Sequence, residues 1–209
     1  MSNKINIRFA SKEERQQLIK NSSYYNRLTQ MDIDWRAKKQ NASLAELITM
    51  AQNNVLDFTE EDKDLVIQAV MFIENRLDKF DCQLPLPPEI IFVNTTMEDE
   101  GNAGAYTSGN MIVLNESCIV ESYIEELIAH ELFHCITRHS PEFRQKMYSL
   151  IGFTVMHPTS GRRWVVTINA AEECLAVNFS SAIVNGPDML YETPQLIEFI
   201  LNTLARTKQ

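Results

Sequence analysis

Between residues 121 and 138, Ile124, Leu127, Ile128, Leu132 and Ile136 recur at three- and four-residue intervals, the period of a helix with one apolar stripe. Beside that stripe stand two imidazoles and a carboxylate, in the run His130-Glu131-Leu132-Phe133-His134. Such groups are costly to bury unless something binds them, so the chain has to fold around this turn in a way that compensates them. Residues four apart share a helix face, and both imidazoles can therefore address one ion at about 2.0–2.1 Å from each nitrogen. Glu131 sits next to the first histidine, where its carboxylate reaches an ion-held water without being a ligand itself. The HExxH spacing is that of a zinc-dependent hydrolytic site.

A catalytic zinc usually takes three protein ligands and leaves one position open. Only His139 and His157 remain as histidine candidates, and neither falls at the spacing of HExxHxxGxxH, since position 140 is Ser. The carboxylate candidates are Glu172 and Glu173, in the apolar segment Ala170–Phe179. Adjacent helix positions diverge by about 100°, so at least one of the two is expected on a solvated face. Glu173 shares a face with Ala176 and Phe179/Ser180, the face expected to pack on the motif helix, and is favoured over Glu172 on that ground.

The rest of the sequence sets the frame. A helix over roughly 12–28 is capped by Ser11, a second runs over 42–53, and Thr59 with Asp62 forms a capping box opening a long helix to Phe80. Pro85, Pro87 and Pro88 then mark a boundary between a helical N-terminal region, 1–84, and a second part, 85–209, expected to form one compact unit with it. Past the prolines, 89–94 (EIIFVN) and 111–114 (MIVL) read as strands forming a hairpin around the glycine-bearing stretch 101–109. Ser140-Pro141 opens a helix to about Ile151, 164–168 (WVVTI) reads as a strand, and 170–184 and 194–206 read as helices.

With 19 Lys+Arg against 28 Asp+Glu, the net charge of −9 argues against nucleic-acid binding through a general basic field. No apolar run approaches the roughly 20 residues of a membrane helix, and residues 1–10 lack the apolar core of a secretory signal. A cytoplasmic location is therefore expected. Cys82, Cys118, Cys135 and Cys174 have no regular spacing and read as free buried thiols.

The combination of HELFH with Glu173-x-x-Ala176-x-x-Phe179 resembles the gluzincin arrangement of HExxH peptidases. It is similar in particular to the small bacterial ImmA/IrrE-type metallopeptidases. The run 129–153 also resembles a group of bacterial zinc-peptidase-like proteins, with Ala170-Ala171 standing where that group tends to carry His-Pro. The likeness covers roughly residues 100–185. It implies an α+β zincin-like fold, mostly helical with a small sheet edging the cleft. It further implies Zn2+ held by His130, His134 and Glu173, with Glu131 as the catalytic acid/base. Peptide or protein substrates would pair as an added strand with part of 105–114, an ordinary hairpin being the competing reading. Tyr106, Tyr148, His157 and Arg138 are candidate donors to a developing oxyanion, although a core role competes for both tyrosines. The acidic run 97–100 (MEDE) is a candidate for favouring basic substrates. The expected function is zinc-dependent peptide-bond hydrolysis. The alternatives are a zinc-retaining regulatory, sensor or binding protein, and a bacterial effector protease acting on a host protein.

Overall fold

The computed structural model describes residues 3–20, 24–79, 83–150 and 165–185. Their architecture is α+β, mostly helical around a small mixed sheet. In chain order the elements are β1 (Ile7–Phe9), α1 (Lys12–Lys20), α2 (Gln30–Arg36), α3 (Leu44–Asn53), β2 (Val55–Leu56), α4 (Glu60–Leu77), β3 (Ile90–Thr95), β4 (Ala105–Ser108), β5 (Met111–Asn115), α5 (Ile124–His139), α6 (Pro141–Leu150) and α7 (Val165–Asn185).

The sheet runs β1-β3-β5-β4, with β2 also paired to β3. β3 and β5 are parallel neighbours, Phe92 opposite Ile112, and the hairpin expected between them is instead made by β4 and β5. Its two-residue turn starts at Gly109, whose φ of +65° suits such a connection. The parallel pairing follows from β4 taking the outer edge, which leaves the mostly buried β5 free to bond on both sides. β4 is one edge strand and β1 lies at the other end of the order.

Period-2 alternation sends the two faces of this sheet into different layers. Ile90, Phe92, Ile112 and Leu114 join the main core with α4 to α7, a core that also holds Val66, Ile73, Leu132, Phe133 and Phe179. Val93 and Val113 face the other way, with Ala10 and Met97 in contact. A further cluster built on Ile19, Tyr25, Leu47 and Val55 binds α1 and α3 together on that side of the molecule. β1 and β2, three and two residues long, escape a periodicity reading because so short a run carries no period, and they tie the first part of the chain into the sheet.

Other expectations shift. The long helix α4 has its capping box at Thr59 and Asp62 but ends at Leu77. The helix expected over 12–28 is described as Lys12–Lys20, and Tyr25–Arg27 form a separate 3-10 turn; residues 21–23 lie outside the described residues. Residues 165–168 belong to α7 and form no strand; their β-branched composition gives way to the helix that continues through Ala170. The helix expected over 194–206 and residue 164 lie outside the described residues. Cys118, Cys135 and Cys174 are free, but only Cys135 is buried and Cys174 is exposed; Cys82 lies outside the described residues. No helix among the described residues is long and apolar enough to cross a membrane.

Candidate metal centre

Helix α5 is buried along most of its length because it lies between the sheet and α7, and this packing is what turns its motif face toward other residues. Across the interface, α7 buries the stripe Glu172, Leu175, Ala176, Phe179 and Ile183, while Phe179 sets its ring 5.3 Å from that of Phe133. The expectation that Glu173 shares this packing face is corrected: Glu172 takes it, and Glu173, one position off the stripe, is exposed and leans over the rim of a cleft.

There the three expected ligands meet. His130 Nε2 lies 3.1 Å from Glu173 Oε2 and 3.2 Å from His134 Nε2. His134 Nε2 in turn lies 3.2 Å from Glu173 Oε1. These groups form a set able to hold a metal ion. Ligand atoms about 2.0–2.1 Å from a tetrahedral ion stand about 3.3 Å apart, and the two imidazole nitrogens and the two Glu173 oxygens approach one another at spacings of that order.

The protonation pattern points the same way. Burial alone would raise the Glu172 carboxyl, but hydrogen bonds from His134 and Thr137, with the charges of His134 and Arg138, hold it down at about 2. Glu172 Oε1 accepts from His134 Nδ1 at 3.2 Å and from Thr137 Oγ1 at 2.8 Å, and Oε2 accepts from Tyr148 Oη at 3.0 Å. With Nδ1 donating to this carboxylate, the Nε2 of His134 is the nitrogen that can address a metal ion. His130 Nε2, His134 Nε2 and the Glu173 carboxylate are nitrogen and oxygen donors of the kind that bind divalent transition metals. The donor set therefore fits a bound metal.

Glu131 is buried at 5 % exposure and faces β4, where Thr107 Oγ1 donates to its Oε2. A cavity of about 440 Å³ opens here, with Gly104, Ala105 and Thr107 on one wall and His130, Glu131 and Glu173 on the other. Edge strand, carboxylate and ligand triangle thus border one cleft.

The further candidates divide. Tyr148 is 2 % exposed and spends its hydroxyl on Glu172, behind His134. Tyr106 points to the sheet face opposite Thr107, packs with Val93 and Val113, and accepts from Arg15 Nη2 at 2.8 Å. Neither hydroxyl is directed at the ligand triangle. Arg138 is exposed at the end of α5 and lines the cavity, whereas His157 lies outside the described residues. The acidic run is occupied: Asp99 accepts from Asn54 Nδ2 at 2.7 Å and Glu100 pairs with Arg36 at 3.2 Å. Burial pushes the Cys135 thiol up to about 12, too high for a reactive thiolate.

Sequence reasoning missed Thr107 and the orienting role of Glu172. Thr107 alternates with Tyr106 in a strand opposite Ile112, which a pattern reading could have used once β4 was recognised. Glu172 was weighed only as a rival ligand or a solvated residue, although it shares a helical stripe with Leu175, Ala176 and Phe179.

The class set by fold and site is an α+β chain carrying a two-histidine, one-glutamate group able to bind a metal, its identity unassigned. Residues 93–142, from β3 into the start of α6, match the family model of the eCIS core domain, and this segment contains both histidines and Glu131. No curated protein and no solved structure gives a significant match.

Proposed function

We propose that the chain is a zinc-dependent peptidase with a zincin-like site, in which His130, His134 and Glu173 hold the metal and Glu131 serves as acid/base. The observation that carries this reading is the approach of His130 Nε2, His134 Nε2 and the two Glu173 oxygens to 3.1–3.2 Å, set beside a buried carboxylate outside that group. A structural zinc site closes all four positions with protein groups, whereas among the described residues this group offers three and opens on a cavity.

Zinc held there would acidify a water and polarise the carbonyl of the substrate. Thr107 holds Glu131 toward the cleft, where it is placed to take a proton from the attacking water. The same carboxyl, once protonated, can hand the proton to the departing amine. Glu172 keeps His134 in the tautomer that ligation needs. The open edge of β4 offers backbone groups for an extended peptide.

The test is turnover of unfolded casein and of a mixed peptide library by the zinc-loaded chain, beside its Glu131→Gln variant. The variant is expected to keep one zinc and lose about 10²–10⁴-fold in rate. A zinc-loaded parent that cleaves nothing, or a variant that cleaves as fast as the parent, contradicts the reading.

The eCIS core match favours a second reading, in which the chain keeps its metal but works by binding within an injection-system assembly. Metal binding without turnover is its signature.

A further inference from the structure

A second cavity of about 440 Å³ lies against the opposite side of β4, and Tyr106, Thr107 and Arg138 line both cavities. Its wall carries two more arginines, Arg15 and Arg27, with Tyr25 beside them. Arg15 is 6 % exposed, yet among the described residues its Nε finds no partner, and its Nη2 donates to the uncharged Tyr106 hydroxyl. Among the described residues, none of the three lining arginines forms an ion pair. The one lining carboxylate, Glu100, is taken by Arg36.

A guanidinium buried without a counter-charge is an unfavourable placement that an incoming anion relieves. Arginine also presents a planar fork suited to a carboxylate. Burial pushes the Tyr106 phenol up to about 12, so the proton it keeps is available for a second donor at the same place.

The position of this cavity follows from strand geometry. A peptide paired with the free edge of β4 alternates its side chains between the two faces of the sheet. When one residue is presented on the Thr107 side, toward Glu131 and the ligand triangle, the next points to the Tyr106 side, toward Arg15.

We propose that this arginine-lined cavity is a specificity subsite for a substrate carboxylate adjoining the bond held at the metal centre. The inference rests on the peptidase reading for the direction in which the peptide lies. Two sources supply the same chemistry: an acidic side chain, or the carboxylate at a peptide's C-terminus.

The experiment uses the full chain as the zinc-loaded Glu131→Gln variant, and calorimetry with three probes. These are N-acetyl-Ala-Ala-Glu-Ala-Ala-amide, its Gln counterpart, and the Gln peptide with a free C-terminal carboxylate. Tighter binding of the first by about tenfold over the second assigns an acidic side chain, and the same advantage in the third assigns the chain terminus. The advantage is expected to vanish in Arg15→Met and to weaken in Arg27→Gln, at an exposed position not needed for folding, while zinc stoichiometry stays unchanged. Equal affinity for all three peptides, absence of binding included, overturns the proposal. So does an undiminished advantage in a folded Arg15→Met or, where that variant does not fold, in Arg27→Gln. Carboxylate-dependent binding by a parent that cleaves nothing would sink the peptidase reading and leave the subsite standing. Cleavage without any acidic preference would do the reverse.

Discussion

At Glu172, burial disfavours a charged carboxylate, but three donors converge on its two oxygens and keep it ionised. On the proposed reading its importance lies in what it does to His134, whose other nitrogen then faces His130 and Glu173. Replacing Glu172 by Ala is expected to weaken zinc binding by about 10–100-fold without removing a ligand, measurable by competition with a chelator. Glu173→Ala, which does remove a ligand, is expected to abolish stoichiometric binding in the same assay. Thr107 acts on the other carboxylate. Thr107→Val leaves every ligand in place but frees Glu131, so kcat is expected to fall while zinc affinity and KM stay close to those of the parent. A drop in zinc affinity instead would mean that Thr107 supports the fold of the site and not its base.

Helix α7 brings both glutamates to α5, and its grip comes from the apolar stripe below them. Phe179→Ala opens a cavity against Phe133 and is expected to cost about 3–5 kcal/mol in denaturant unfolding, with weaker zinc binding as Glu173 drifts. Thr59→Ala, remote from the site, removes the α4 cap and is expected to cost about 0.5–2 kcal/mol with zinc affinity untouched. The elements differ in how readable they were. The motif helix was legible because Ile124 to Ile136 keep a helical period over four turns, and α4 because Thr59 and Asp62 mark its start. The ordering β1-β3-β5-β4 was not, since β1 and β2 are too short to carry a period and pairing partners are chosen by tertiary packing. For the same reason the site was legible only in part. His130, Glu131 and His134 share one local pattern, whereas Thr107, Tyr148 and Arg15 reach their partners across 24 to 91 residues of sequence.

On the scale of the whole molecule, the sheet separates two layers. Helices α5 and α7 carry the ligand group at the rim of a cleft on one face, and the clusters around Tyr25, Val93 and Val113 close the other. The triangle joins two helices that nothing else links covalently near that point, so zinc is expected to stabilise the folded chain beyond its effect on the unfolded one. At free zinc a hundredfold above Kd, linkage gives about 2.7 kcal/mol, read as a rise in Tm that Glu173→Ala should erase. The metal itself is the centre of the whole reading. The most direct measurement is therefore a crystal structure of protein purified without chelator, with anomalous data collected on both sides of the zinc absorption edge. One zinc peak is expected, with His130 Nε2, His134 Nε2 and a Glu173 oxygen at about 2.0–2.2 Å and Glu131 outside the coordination shell. A chain that stays empty in excess zinc, or a zinc held by Glu131 or Glu172 in place of Glu173, would contradict it.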